Sequence, residues 1–211
     1  MTRVGAIVLA AGQSSRFRAA GGPDLTKLVA KLDGKPIVRR VVEAALATKA
    51  RPVVVVTGYA RESVEAAVAD LDVGVAFNAR FASGLASSLS VGLSATPRDV
   101  AGALVLLGDM PLIEPRLVDA LIEAFLAREG ALAAIPLTEG RRGNPVLLGW
   151  GLFEAALRLT GDEGARKLIG ALNEGELVEF EASDMGVTFD VDTPEDLAAA
   201  QRLGNGGDSA H

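Results

Sequence analysis

The chain has 211 residues, with 21 Lys and Arg against 27 Asp and Glu for a formal charge of −6, and 49% hydrophobic residues, the composition of one soluble globular domain. There is no cysteine and the only histidine is His211, which excludes disulfides, Cys-ligated metals, thiol nucleophiles, a Ser-His-Asp triad and His-based zinc sites. The acidic balance and the 4% aromatic content argue against nucleic-acid binding, and no apolar run approaches the roughly 20 residues that a membrane-spanning helix needs. Met1–Gly5 leads into a short buried-strand pattern rather than a signal peptide, so a cytoplasmic protein is expected.

In chain order, Val4–Ala10, Pro52–Thr57, Val73–Phe77, Ala103–Leu107 and Leu132–Ile135 read as strands. Each is nearly all apolar, as central parallel strands buried on both faces are. Between them Ile37–Ala47, Glu62–Ala69, Leu85–Ala95 and Arg116–Arg128 read as helices. In the last, Leu117, Val118, Leu121, Ile122, Phe125 and Leu126 recur every three or four residues and form one apolar stripe. The alternation predicts an α/β fold, a mostly parallel sheet with helices on both faces. After Pro136 it weakens into Asn144–Gly149, helical Leu152–Arg158 and Glu163–Leu172, and strand-like Leu177–Glu181 and Val187–Val191, an elaboration that has room for an antiparallel strand. Thr193-Pro194-Glu195-Asp196 is a helix start with a capping box, and that helix is expected to end near Leu203, before a flexible tail over 204–211. A single domain is expected over 1–203.

The first strand ends in Leu9-Ala10-Ala11-Gly12-Gln13-Ser14-Ser15-Arg16 and leads on to Lys27. Ligands of open parallel sheets bind at the strand C-termini, where small residues let backbone N–H groups approach a polyanion and Arg16 and Lys27 supply charge. A surface loop with two solvated cations fits the composition equally well. The segment Gly108-Asp109-Met110-Pro111 ends another buried strand; its carboxylate is either a hard ligand for magnesium or ordinary turn chemistry. Asp190 and Asp192 lie at a further strand-like end, beside the Thr193 cap. Two acidic strand ends opposite a cationic loop shift the balance toward a metal and polyphosphate site.

Together, Leu9-Ala10-Ala11-Gly12 with Ser14, Arg16 and Lys27, then Gly108-Asp109-Met110-Pro111, Gly143-Asn144-Pro145 and Asp190 to Asp196 resemble the MobA-like nucleotidyltransferases, most closely the molybdenum cofactor cytidylyltransferase branch. The resemblance covers about residues 4–203. It implies a three-layer Rossmann-like nucleotidyltransferase fold, with a nucleotide-binding part over about 1–112 and an acceptor-binding part over about 113–203. The implied reaction joins CMP from CTP to the phosphate of molybdopterin cofactor and releases pyrophosphate. Ala11, where guanylyltransferase relatives carry glycine, favours cytidine. One departure is the insertion-like Ala19–Asp24 between Arg16 and Lys27.

By the same resemblance Leu9, Ala10, Ala11, Gly12, Ser14, Ser15, Arg16, Lys27, Ser87, Ser88, Gly108 and Asp109 hold the nucleotide, with Lys27, Arg16 and Asp109 catalytic. Asp109, Asp190 and Asp192 hold Mg2+. Arg142, Gly143, Asn144, Pro145 and Arg166 hold the acceptor, Arg141 standing beside them, and Trp150 is read as packing. Among the two carboxylates, Asp190 is the main second ligand and Asp192 a mixed ligand and turn residue. The implied partners are the nucleotide, a phosphorylated small molecule and a molybdoenzyme or its chaperone. Transfer to a sugar 1-phosphate, or a non-catalytic nucleotide-binding accessory protein, are the competing readings.

Overall fold

The seven residues of β1, Val4–Ala10, are all buried because they form the middle of the sheet. The structure is a computed structural model that describes residues 3–22, 25–182 and 185–206. β1 is followed by the short helix α1 (Ser15–Ala19), the two-residue strands β2 (Lys31–Leu32) and β3 (Lys35–Pro36), and α2 (Ile37–Leu46). Then come β4 (Val53–Thr57), α3 (Arg61–Val68), β5 (Gly74–Phe77), α4 (Leu85–Ala95), β6 (Gly102–Leu107) and α5 (Pro115–Ala127). The last third adds β7 (Ala133–Thr138), β8 (Arg141–Arg142), β9 (Val146–Gly149), α6 (Phe153–Ala156), α7 (Ala165–Ile169), β10 (Leu177–Glu181) and α8 (Pro194–Gly206).

The main sheet runs β10-β7-β9-β6-β1-β4-β5, with β8 paired to β7. β1 is parallel to both neighbours, with Leu9 opposite Val56 and Leu107. β9 lies antiparallel between β6 and β7, and β8 pairs antiparallel with β7. Alternate residues of β1 divide between two cores. Ala6, Val8 and Ala10 pack with Val38 and Val42 of α2, Val64 of α3 and Leu121 of α5. Ile7 and Leu9 face Leu89 and Leu93 of α4, Phe153 of α6 and Ile169 of α7. Helices therefore cover both faces, as the run of apolar strands predicts. Each fully buried Leu or Ile contributes about 1.5–3 kcal/mol.

A third cluster decides where the end of the chain lies. Phe17, Ala30, Leu32, Ile37, Val191 and Ala200 bury one another, so the entry to α8 is held against the segment that follows β1. Residue 192 is thereby delivered to the C-terminal end of β1.

Several expectations change. Val187–Val191 is not a strand: a 3-10 turn covers Met185–Val187, the Val187 carbonyl accepts from Asn144 N–H and Val191 N–H donates to the Asp109 carbonyl. Its backbone groups are spent on two loops rather than on a neighbouring strand. The helix expected over Glu163–Leu172 shrinks to Ala165–Ile169 between Gly164 and Gly170, and Leu152–Arg158 to Phe153–Ala156 after a 3-10 turn. The expected tail is helical as far as Gly206; residues 207–211, His211 among them, lie outside the described residues, as do Pro23 and Asp24 of the insertion-like segment. Among the described residues, no helix is long and apolar enough to cross a membrane.

Candidate active site

The loop after β1 is stitched to Lys27 by side chains. Ser14 adopts a left-handed backbone, φ 53°, and its hydroxyl lies 2.9 Å from the buried Thr26 hydroxyl and accepts from Lys27 N–H at 3.2 Å. Thr26 Oγ1 also accepts from Leu28 N–H, capping the short turn Lys27–Val29. Lys27 is thus aimed across the strand ends, and its ammonium lies 2.7 Å from Asp109 Oδ2 and 2.5 Å from Asp192 Oδ1. Arg16 pairs with Asp192 from the solvent side.

Asp109 follows β6, on the same strand end as the loop after β1, with Gly108 N–H donating to the Leu9 carbonyl at 2.9 Å. Its Oδ1 is buried and has no hydrogen-bond partner among the described residues. An orphaned buried oxygen costs about 1–3 kcal/mol, more when charged. Asp190 stands beside it: one oxygen each from Asp109, Asp190 and Asp192 lie within 4.8 Å of one another. Hard carboxylate oxygens so gathered, one of them unpartnered, fit a divalent cation of the magnesium or manganese kind.

Charge in the cluster is unevenly shared. Burial works against the Lys27 ammonium, but Asp109 and Asp192 more than offset it and hold its pKa above the ordinary lysine value. Burial also opposes ionisation of Asp192, and Lys27 and Arg16 outweigh it, so this carboxyl is held below its usual range. Asp190 goes the other way, pushed up first by partial burial of its carboxylate and then by the Asp109 and Asp192 charges.

Two cavities meet at this cluster and share Leu9, Leu85, Leu107 and Asp162 in their walls. The first, about 460 Å³, is bordered by Ala11, Gly12, Gln13, Ser14 and Ser15, by Lys27 and Asp109, and by Phe81 and Ser88 across the gap. The second, about 520 Å³, has a floor of Leu89, Val105, Met110 and Val146 and a rim of Arg141, Arg142, Asn144, Arg166 and Asp190. Gly84 brings the two halves together: it has φ 98°, and a Cβ there would stand 2.3 Å from the Gly161 carbonyl. Gly143 is similarly constrained, since a Cβ would meet the Val187 carbonyl at 2.6 Å.

The structure sorts the residues singled out from sequence. Leu9, Ala11, Gly12, Ser14, Ser15, Lys27, Ser88 and Asp109 border the first cavity, whereas Ala10 and Gly108 do not. Ala10 is fully buried. Ser87 does not line it either; its hydroxyl is turned to Asn78 Nδ2 and the carbonyls of Arg80 and Gly84. Of the residues expected to hold the acceptor, Arg142, Asn144 and Arg166 line the second cavity, while Gly143 and Pro145 do not. Arg142 is paired with Glu179 at 2.7 Å; the guanidinium groups of Arg141 and Arg166 have no hydrogen bond or ion pair among the described residues. Trp150 follows the end of β9, which pairs with the start of β6 and so lies away from the cluster, and packs on Phe153 at 4.6 Å. Asp192 does not serve the turn into α8. Asp196 does so, accepting from the N–H groups of Asp192 and Thr193 at 3.0 and 2.8 Å. Sequence reasoning missed Phe81 and Asn78, although Asn78 directly follows the C-terminal end of β5 as Asp109 follows that of β6.

A small-residue loop, a half-buried lysine and a carboxylate cluster at the strand ends are the parts of a nucleotide-handling transferase. Residues 6–176 match the model of the MobA-like NTP transferase domain, and the chain belongs to that family. The bifunctional protein GlmU of Neisseria meningitidis serogroup C is 30% identical over 173 residues, 82% of this chain and 36% of that protein. The chain spans about a third of the length of the curated relatives it matches. Among solved structures, Rv0371c from Mycobacterium tuberculosis H37Rv is 25% identical with a TM-score of 0.77, over 95% of this chain and 99% of that one; it has also been solved as a complex with manganese. A nucleotidyl transferase from Methanothermobacter thermautotroptrophicus (Mth528) shares the fold, with a TM-score of 0.83 at 24% identity, over 99% of this chain and 100% of that one.

Proposed function

We propose that this chain is a divalent-metal-dependent nucleotidyltransferase that moves CMP from CTP onto the phosphate of molybdopterin cofactor and releases pyrophosphate, acting in the cytoplasm. The observation that carries the reaction type is Lys27 gripped between Asp109 and Asp192, with Asp190 beside them, where the small-residue loop meets a second cavity. The acceptor reading is supported by that cavity's apolar floor and by Arg141 and Arg166 at its rim. These suit a flat organic body carrying a phosphate better than a polyhydroxylated sugar. The cytidine reading rests on Ala11 and the resemblance; the metal reading is supported by the manganese complex of Rv0371c.

In the proposed mechanism an oxygen of the acceptor phosphate attacks the nucleotide α-phosphorus in line. The bond from that phosphorus to the oxygen bridging to the β-phosphate breaks, and pyrophosphate leaves. The nucleophile is already anionic near neutral pH, so no general base is required, in keeping with a site that holds no histidine or cysteine among the described residues. Lys27 turns from its carboxylates to the nucleotide phosphates, and Arg16 adds charge from the solvent side. Catalysis is positioning plus charge neutralisation. Asp109, Asp190 and Asp192 would hold a divalent cation, which would supply further positive charge there. Arg166 and Arg141 orient the acceptor phosphate through charge-assisted hydrogen bonds.

The test is pyrophosphate release from each of the four NTPs with magnesium and with molybdopterin cofactor or a sugar 1-phosphate as acceptor. Release only with CTP and molybdopterin cofactor is expected. Turnover with the sugar 1-phosphate overturns the acceptor, preference for GTP overturns the base, and no nucleotide binding at all overturns the reading as a whole.

A further inference from the structure

Asn78 is nearly fully buried, at 2% exposure, immediately after β5, and no role in binding or catalysis has been given to it above. Its backbone N–H is used by the Thr57 carbonyl at 2.8 Å. Its side-chain amide is used completely. Oδ1 accepts from Arg80 N–H at 2.9 Å, and Nδ2 donates to Ser87 Oγ at 2.9 Å and to Ser88 Oγ at 3.0 Å.

The orientation of this amide follows from the backbone. Arg80 N–H is an obligatory donor, so the amide atom that faces it is the oxygen. The opposite atom is then the NH2 group, which carries two protons and no acceptor capacity. Both serine hydroxyls must therefore accept from it. Ser87 gives its own proton to the carbonyl of Arg80 or Gly84, at 3.0 and 2.9 Å, and is satisfied. The Ser88 proton has no acceptor among the described residues, and Ser88 borders the first cavity together with Ala11 and Phe81.

We infer that Asn78 is a positioning residue that fixes the hydroxyl of Ser88 as a hydrogen-bond donor toward the base of a bound nucleotide. The inference rests on the nucleotide-binding reading proposed above. Its ligand is an acceptor atom of the base, a ring nitrogen or a carbonyl oxygen: Ser88 borders the cavity together with Ala11 and Phe81, whereas the phosphates suit the Lys27 ammonium. A hydroxyl free to rotate could serve donor and acceptor edges alike. With one of its two lone pairs committed to Asn78 and its proton unclaimed, the Ser88 hydroxyl favours a base edge that offers an acceptor over one that presents only N–H groups.

The experiment is calorimetric titration of CTP, GTP, ATP and UTP into the wild-type chain, Asn78→Ala, Ser88→Ala, the double variant and Asn78→Asp, with thermal melting of each. Expected is a loss of about fivefold to tenfold in affinity for the preferred nucleotide in either single alanine variant. The double variant should lose no more than the larger single loss, and the ratio between nucleotides should narrow, because the two residues act through one hydrogen bond. Asn78→Asp keeps the acceptor for Arg80 N–H but draws the Ser88 proton toward itself, so it should lose affinity to the same degree. If Asn78→Ala does not fold, Ser88→Ala and Asn78→Asp decide the matter. Wild-type affinity in Ser88→Ala, wild-type affinity in Asn78→Asp, or additive losses in the double variant overturns the inference while leaving nucleotide binding standing. A wild-type chain that binds none of the four overturns the functional reading and this inference with it.

Discussion

Asp109 offers its two oxygens to different fates: Oδ2 lies 2.7 Å from the Lys27 ammonium, whereas Oδ1 is buried with no partner among the described residues. The pair is half of a site, neutralised on one side and open on the other. Asp109→Asn should abolish turnover and leave the melting temperature within a few degrees, because it removes a charge and no core area. Losing a charged ligand from a preorganised phosphoryl-transfer site costs on the order of several kcal/mol of transition-state stabilisation. Near-wild-type pyrophosphate release by this variant would show that the metal role is wrong, and failure to fold would make Asp109 structural.

Lys27 occupies the space between Asp109 and Asp192 that a cation would share. Without nucleotide, the ammonium and a divalent metal compete for the same oxygens. Lys27→Gln should therefore bind Mn2+ more tightly than wild type in the absence of nucleotide, since three carboxylates lose an internal counter-charge. The same variant should turn over on the order of 10²–10³-fold more slowly. A manganese titration showing unchanged or weaker binding would sink the competition.

The structure divides the work of Asp192 and Asp196. Asp196 and Thr193 form a reciprocal cap, with Asp196 N–H donating to Thr193 Oγ1 at 3.2 Å and Thr193 N–H donating to Asp196 Oδ2. Removing such a cap costs about 1 kcal/mol, which for a chain of this size lowers Tm by about 2–4 °C. Asp196→Ala should show that drop with little change in metal requirement. Asp192→Ala should show the opposite, a higher magnesium requirement and a smaller drop in Tm, because its carboxylate faces Lys27 and Arg16. Melting curves and magnesium titrations of the two variants separate the roles.

Asp190 ties stability to pH. Its folded-state pKa is raised, by burial first and by Asp109 and Asp192 next. A group so shifted contributes stability that is full below its unfolded-state value and is lost as pH rises through the raised one. Metal-free wild-type protein should lose stability relative to Asp190→Asn across that window, and saturating magnesium, which needs the ionised carboxylate, should offset the loss. Parallel melting profiles of wild type and variant between pH 3 and 8 would refute the assignment.

Much of the framework is legible without coordinates. The bounds of Val4–Ala10 and Leu85–Ala95 are those expected from apolar runs and helical spacing, and the Thr193 cap stands where its motif places it. Val187–Val191 misleads because its apolar alternation is that of a strand, while its backbone pairs with Asn144 and Asp109 far along the chain. Ser87 misleads for a related reason. Adjacent serines on α4 face different neighbours, and only packing reveals that Asn78 and the Arg80 and Gly84 carbonyls claim Ser87.

By itself the sequence determined the alternation of strands and helices, the two-sided burial of the sheet and the loop chemistry at the strand ends, because periodicity and turn composition act over a few residues. Only the tertiary structure decided that residues 27, 109, 190 and 192 meet, that Asp196 and not Asp192 caps α8, and that Arg142 is paired while Arg141 and Arg166 stand unpaired at the rim of the second cavity among the described residues. Those outcomes depend on the cluster of Phe17, Ile37, Val191 and Ala200, which fastens the end of the chain beside its beginning. Its contacts join segments that no local pattern links, so burial of apolar surface, rather than any motif, brings the carboxylates to Lys27.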